Sequence, residues 1–536
     1  MSSFPRGLLD LADSDRNPAI QVFGRRFLVE QGATELLLEF LLVASCKKRL
    51  AYRDVVTALP ALDQLKAWPA EATLQYAPKG RLNLKLFAFL GASRLDARHE
   101  AHRAQYADLA AVLQEKMRCG ATGGRDEVLR TLENLFLGFH GAGASRTWCA
   151  QSFLPVCRGL LAGETLWNAT EARRHPVDSW WEALERLNTY FTVNKHRFLA
   201  RGGELLYLQV CNALRQPEAS VREWANGAEV NLEPEELNPV TLHGRLEAAL
   251  TRVMSECPAS VSDLAEFIDR GAEPDTAERT DLVNGQPRLT GCGWCPEESW
   301  REGYLFAVEL ARLCEARLDI MDRLELLELA CAMQELRSLA AQSARLISPS
   351  TPFPGYVLAV SDPEGSLEVV KRISQGTVKH IEKTIFRAIR SDVVQIRDEK
   401  DLRQADRKYA GKLYLSVAKR IGFMVPRRGR GARFVLNERI LRYLVLTVVP
   451  AGGRLRYDTF KDLVEARHGL VFDGDALGRA NRWMGGAAWG FYGSSMDQWL
   501  LEMLEAAGML RRLSDSCALV ENPVAAPENR AEGQQP

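Results

Sequence analysis

Gly422-Phe-Met-Val-Pro-Arg-Arg-Gly-Arg-Gly-Ala-Arg-Phe-Val-Leu436 decides how the C-terminal third of the chain is read. Two short apolar runs, Phe423 to Val425 and Phe434 to Leu436, flank a turn that carries Arg427, Arg428, Arg430 and Arg433 among Gly429 and Gly431. Apolar runs around a Gly-rich turn predict a β-hairpin, because glycine adopts positive φ without steric cost. Upstream, Asp401 to Ile421 reads as a helix with Ala410, Leu413, Tyr414 and Val417 opposed to Lys408, Lys412 and Lys419. Before that, Thr377 to Arg390 sets Val378, Ile381, Ile385 and Ile389 on one face. Lys379, Lys383 and Arg387 follow at i, i+4 and i+8 on another. The expectation is two amphipathic helices with basic stripes, closed by a basic hairpin.

Net charge hides this. The 536 residues carry 69 Lys+Arg and 69 Asp+Glu, a formal charge of zero. Between Lys371 and Arg433, however, 18 basic residues face 6 acidic ones, whereas Gln216 to Asp281 holds 15 acidic and 5 basic residues together with Pro217, Pro234, Pro239, Pro258 and Pro274. Neutrality is a cancellation between segments. The acidic stretch reads as a connector with short helices at Leu242 to Met254 and Val261 to Arg270, able to mask a basic surface.

A helix followed by a basic hairpin resembles the winged helix, the helix-turn-helix variant in which a helix enters the major groove and the hairpin reaches the backbone or minor groove. The same order recurs downstream: helix Asn437 to Val448, strand Arg454 to Tyr457, helices Asp458 to His468 and Met496 to Ala507, then strands Met509 to Arg512 and Ala518 to Val520. From Phe434 to Pro536 the balance is 11 basic against 13 acidic residues, so this copy is expected to read DNA poorly. The resemblance implies that Lys379, Lys383, Arg387, Lys408, Lys412, Lys419, Arg427, Arg428, Arg430 and Arg433 neutralise phosphates, giving salt-dependent binding without base specificity.

The rest of the chain reads as helices. Hydrophobic residues make up 46% and charged residues 26%, which excludes wholly disordered, collagen-like and membrane-embedded classes. The fold class expected is mostly α and multidomain: a helical N-terminal half (1–215) suited to protein contacts and an acidic connector (216–288). A helical segment (289–348) follows, then two winged-helix-like α+β domains (349–436 and 437–522) and a disordered tail (523–536). Ser348-Pro-Ser-Thr-Pro-Phe-Pro354 is the firmest boundary, because proline cannot continue a helix. No secretory signal or membrane span is evident, so a cytoplasmic location is expected. Cys46, Cys157, Cys211, Cys314 and Cys331 lie in apolar helical stretches and read as buried, reduced thiols.

Motifs with chemistry are sparse. Cys292-Gly-Trp-Cys295 could give two thiolates to zinc, but a closed site needs two more ligands, and only Cys257, His243 and Cys314 are near in sequence. The expectation is therefore no cofactor, with zinc as the alternative. His99 and His102 share a helix face yet lack a partnering helix of ligands, and read as exposed polar residues. Asp362, Glu364, Glu368 and Lys371 loosely resemble the acidic-plus-lysine cluster of restriction-type nucleases, although Glu368-Val-Val-Lys371 is one residue too long. There is no phosphate-binding loop, dinucleotide fingerprint or nucleophile elbow, and no small-molecule substrate is indicated. Arg146-Thr-Trp-Cys-Ala-Gln-Ser-Phe-Leu-Pro155 and Arg201-Gly-Gly-Glu-Leu-Leu-Tyr-Leu208 are similar to phrases in uncharacterised accessory proteins of bacterial anti-phage defence systems. That resemblance covers under a tenth of the chain and implies a context of DNA sensing or restriction. The functional expectation is a non-enzymatic accessory subunit that binds duplex DNA; a metal-dependent nuclease using residues 362–371 and a pure interaction scaffold are the alternatives.

Overall fold

The computed structural model describes residues 2–6, 18–24, 27, 31–76, 202–256, 282–283, 286–287, 289–394, 398–486, 496–514 and 517–524. The chain divides into two compact units. One comprises Met1–Tyr76, Leu199–Glu256 and Thr290–Pro536, and the other Ala77–Phe198 with Cys257–Leu289. In the second unit the described secondary structure is the antiparallel pairing of Leu282–Val283 with Gln286–Pro287. Residues 77–201 of the helical N-terminal half, with Cys157, His99 and His102, the helix at 261–270 and the 523–536 tail beyond residue 524 lie outside the described residues.

In the first unit, α1 (Ala33–Ser45), α2 (Gly202–Leu214), α3 (Glu218–Gly227), α4 (Pro239–Ser255), α5 (Trp300–Glu315) and α6 (Ile320–Ile347) build a helical body. Every residue of α2 is buried, and its polar side chains are bonded within the core: Glu204 accepts from Tyr76, Gln209 from Gln334, and Asn212 donates to the Glu297 carbonyl. The α1 helix stops at Ser45, and Lys48–Leu50 becomes β1 of a small antiparallel sheet. With β2 (Arg53–Val55), β3 (Leu74–Tyr76) and β4 (Thr290–Gly291) it forms the order β2-β1-β3-β4. Buried Lys48 donates to the Val43, Ala44 and Cys46 carbonyls at 3.1, 2.7 and 3.0 Å, satisfying the open end of α1.

Helices α2 and α5 cross at glycine. A Cβ on Gly303 would sit 2.3 Å from the Gln209 carbonyl oxygen, so the backbones could not stay this close. Gly303→Ala is expected to lower stability by about 1–3 kcal/mol through this overpacking, read as a lower melting temperature. An unchanged melt would show that the crossing can relax.

Residues 216–256 are not a connector within this unit. Val221 and Ala225 of α3 and Leu242, Leu246, Leu250 and Val253 of α4 are buried in the core. Their carboxylates are engaged locally: Glu236 with Arg312, Glu256 with Arg323, Glu218 with Arg222, and Glu247 accepting from the Ala58 and Leu59 amides. Ser348–Pro354 ends α6 as proline chemistry requires, yet it is no boundary between cores: Phe353 packs edge-on to Trp224 at 5.5 Å. Buried apolar side chains run as one cluster from Phe4 to Val520.

The C-terminal part continues with β5 (Leu358–Ser361), α7 (Glu368–Ile389), α8 (Glu399–Ala405), a π-helical segment (Asp406–Leu413) and α9 (Tyr414–Arg420). The single helix expected over 401–421 is thus interrupted by a π segment. Strands β6 (Met424–Val425) and β7 (Arg433–Val435) then form the expected hairpin, with Met424 opposite Phe434 and Val425 opposite Arg433. After α10 (Glu438–Val448) come β8 (Arg454–Arg456), α11 (Tyr457–His468), β9 (Leu470–Val471), α12 (Gly474–Trp483), α13 (Gln498–Ala506), β10 (Leu510–Ser514) and β11 (Cys517–Glu521). Strands β8, β11 and β10 make an antiparallel sheet in the order β8-β11-β10. The first sheet is mixed. Its order is β6-β7-β5-β9, and both β7 and β9 run parallel to β5, so a strand from the 437–522 stretch completes a sheet built mostly by 349–436.

Buried ion pairs join the helical body to the C-terminal part. Arg337 donates to both oxygens of Glu309 at 2.9 and 2.6 Å, and the Tyr443 hydroxyl donates to Glu309 Oε2 at 2.8 Å. Beside them Arg312 is bidentate on Glu236 and donates to the Thr447 and Val448 carbonyls at 2.9 and 3.0 Å. Arg467 donates to Val230, Asn231 and Thr447. Two guanidinium groups therefore meet the negative, open carbonyl end of α10. Burial pushes the Glu309 carboxyl up, but the Arg337 charge, with the bonds from Arg337 and Tyr443, outweighs it and holds it below the usual range. His468 is brought down to about 3 by burial and by neighbouring Arg337 and Arg467 against the pull of Glu309, so it is neutral.

Candidate nucleic-acid interface

Helix α7 positions the basic stripe because its opposite face is fixed in the core. Val378, Ile381, Ile385 and Ile389 are all at most 3% exposed, each worth about 1.5–3 kcal/mol over exposure. Lys379, Lys383 and Arg387 consequently project into solvent. A third side of α7 is covered by α12: the His380 and Trp483 rings lie 4.0 Å apart, and Met484 occupies the space where Gly376 lacks a side chain.

The π segment and α9 bury Ala410, Leu413, Tyr414 and Val417 as expected and expose Lys408 and Lys412. Lys419 is half-buried and faces α7, where it and Lys379 act on the same carboxyl: burial raises Glu382, and the two lysines pull it back. Because the π segment lies between them, Lys408 and Lys412 do not keep the α-helical register with Lys419 that the projection assumed.

At the hairpin, Gly429 and Gly431 take φ of +98° and +83°, the left-handed conformations that suit glycine. Gln375 of α7 donates to the Gly431 carbonyl at 3.4 Å, which sets the loop beside the start of the stripe. Arg427, Arg428 and Arg430 are exposed and make no ion pair among the described residues. Arg433 does not join them. It is 9% exposed, donates to Ser361 Oγ at 3.1 Å and the Pro363 carbonyl at 2.6 Å, and lies across Gly365, whose missing Cβ leaves room for the guanidinium. The expected phosphate contact at Arg433 is corrected to a structural role in tying β7 to the β5–α7 turn.

The second hairpin is different. Arg512 pairs with Glu505 at 3.0 Å and Arg511 with Glu521 at 4.0 Å, so its cations already face carboxylates.

His380 lies beside the stripe. Burial lowers its pKa, and Lys383 and Arg387 lower it further. An anion that offset those two cations would raise it, so binding at the stripe would take up a proton and is expected to tighten as pH falls below the usual histidine range, by at most about tenfold per unit for one proton. His380→Gln is expected to flatten that part of a pH titration of affinity, and an identical profile in the variant would remove His380 from the linkage.

The other sequence candidates are not assembled into sites. Asp362 Oδ2 accepts from the Ser366 amide and hydroxyl, both at 2.7 Å. Burial raises this carboxyl, but those bonds, the Gly365 amide and Arg433 outweigh it and keep it low. Glu368 pairs with Lys371 at 3.2 Å and Arg372 at 3.4 Å, and Glu364 is exposed. Cys292 and Cys295 are fully buried, and burial pushes the Cys295 thiol up to about 12. Among the described residues no group of three His, Cys, Asp or Glu is placed to hold a metal. Cys46, Cys211, Cys314 and Cys331 are buried and unbridged, with the Cys314 thiol raised by burial to about 12. No described helix is long and apolar enough to cross a membrane. A separate cavity of about 850 Å³ is walled by Trp224, Trp300, Phe353 and Arg345, a size in the range of ligand sites.

Sequence reasoning missed Phe386, an exposed ring within the stripe, because attention to charge period passes over a lone apolar residue on the basic side. Its position was nonetheless legible: seven residues after Lys379 and three after Lys383, it falls on the basic side of the helical projection, opposite Thr377 and Ala388. Of the two phrases similar to anti-phage proteins, 146–155 lies outside the described residues and 202–208 lies in buried α2. Compared with family models, curated proteins and solved structures, the chain matches none.

Proposed function

We propose that this protein is a non-enzymatic nucleic-acid-binding subunit, with duplex DNA as its ligand and the α7 stripe and β6–β7 hairpin as its contact surface. One observation carries the reading: Arg427, Arg428 and Arg430, with Lys383 and Arg387 alongside, are exposed without an ion pair among the described residues, and exposed Lys379 lies on the same stripe near Glu382. Other arginines face carboxylates, as at Arg245–Glu315, Arg337–Glu309 and Arg479–Glu465. A cluster of unpaired cations along one helix and one loop is the electrostatic footprint of a phosphate backbone.

The winged-helix reading is part of the proposal. In residues 437–522 it is supported by helix, strand and helix followed, after the inserted β9 and α12, by a helix and a hairpin, with an antiparallel three-stranded sheet. In 349–436 it is supported by the helix-then-basic-hairpin order, although the parallel β5–β7 pairing departs from that plan. The 437–522 element is then a docking rather than a DNA-reading module, consistent with the pairing of Arg442, Arg479, Arg511 and Arg512. A place as an accessory subunit in a cytoplasmic bacterial complex, with partner proteins on the N-terminal half and a role in anti-phage defence, rests on the sequence resemblance.

The test is fluorescence anisotropy of a labelled duplex against the full chain over a salt series. Log affinity is expected to fall linearly with log salt, with a slope of about −0.9 per phosphate contacted. Binding with no salt dependence, or none at low salt, would sink the proposal.

A further inference from the structure

Phe386 stands out on the basic surface. It is 40% exposed, between Lys383 and Arg387 in sequence, on a helix whose other large apolar side chains are mostly buried. One face of its ring is backed by Arg390, whose guanidinium carbon lies 4.8 Å from the ring centroid. Arg390 is itself anchored, by Asp406 from the π segment and by Glu399 at 3.5 Å. The ring is therefore held on a fixed support rather than left to rotate, while its exposed area faces solvent among cations.

A solvated basic face does not require a ring there. A bare phosphate-binding stripe would work with any polar residue at 386, and an exposed phenyl costs solvation. Every nucleobase, by contrast, presents a π-face that an aromatic ring can stack upon, and alternation of cations with rings is how single strands are tracked. A guanidinium behind the ring adds a cation–π contact to the same stack.

Resting on the nucleic-acid reading above, we propose that Phe386 is a base-stacking residue: an unpaired nucleobase lies on its open face while Lys383 and Arg387 hold the flanking phosphates. The site then prefers DNA with an unpaired base, in a single strand or at a bulge, over an uninterrupted duplex.

Three oligonucleotides test this against the full chain: a single strand, a duplex with one bulged 2-aminopurine, and the fully paired duplex of the same length. Phe386→Ala is expected to weaken binding to the first two by about tenfold or more, leaving the paired duplex and every salt slope unchanged. Phe386→Tyr should retain binding. Quenching of the bulged 2-aminopurine should be seen with wild type and Phe386→Tyr and lost with Phe386→Ala. Equal affinity of wild type and Phe386→Ala for all three, or an equal loss on all three, overturns the stacking role while leaving the phosphate-binding reading intact. If wild type binds none of them in a salt-dependent way, both fall together.

Discussion

Glu309→Ala is expected to cost about 3–5 kcal/mol of stability, the range for removing one partner of a buried ion pair. Glu309 and Arg337 are each 2% exposed in their side chains, so neither can turn to water when the other is lost. Deleting the carboxylate leaves the Arg337 guanidinium uncompensated in the core and takes the acceptor from Tyr443 as well. Because Arg337 lies on α6, Tyr443 on α10 and His468 at the end of α11, the damage reaches three helices at once. The check is a thermal melt followed by circular dichroism, with Arg337→Met and the Glu309→Leu/Arg337→Met double variant alongside. Each single change should melt well below wild type. The double should recover part of the loss, since paired apolar replacements remove both desolvated charges. A Glu309→Ala protein that melts with wild type would show that this network does not hold the body together.

Replacing Arg427, Arg428 and Arg430 together by Ala should reduce the log–log salt slope for duplex binding by about 2.7, three contacts at about 0.9 each. Over a fourfold salt range that difference multiplies to roughly fortyfold in relative affinity. The three arginines are exposed, so their loss should leave the melting temperature within error. Arg433→Ala separates the two roles that one run of sequence conceals. It should lower the melting temperature, by leaving Ser361 and the Pro363 carbonyl without their donor, and keep the salt slope. If Arg433→Ala instead changed the slope as its neighbours do, the buried placement would be the wrong account of its chemistry.

Much of the local architecture was legible because period and turn chemistry are local. Ile381 and Ile385 announce the buried face of α7, Gly429 and Gly431 the hairpin, and Asn437, whose side chain accepts from the Ile440 amide, the start of α10. The helix at 401–421 was legible as helix, but not its π segment, since a one-residue widening leaves almost no trace in apolar spacing. Composition misled over 216–256. Fifteen acidic residues and five prolines across 216–281 suggest a solvated linker, yet Glu236 and Glu256 find Arg312 and Arg323, 76 and 67 residues away, and α3 and α4 bury their apolar faces. Glu218, Glu236, Glu247 and Glu256 are engaged within the fold, and among the described residues no ion pair joins the acidic stretch to the basic one.

Sequence alone therefore settled the helices at 437–448 and 458–468, the inner part of α7 and the hairpin, and that their charge is polarised, because amphipathic period and glycine placement act over a few residues. It did not show α12 or the first two turns of α7. Only the packed structure decided which cations remain free. Arg428 and Arg433 are indistinguishable in a count of charge, and they differ because β7 carries Arg433 into the Ser361–Gly365 turn while the glycine loop holds Arg428 in water. Pairing depends on partners remote in sequence, and burial raises the cost of leaving any buried charge unpaired, so the division between structural and available cations is a property of the fold.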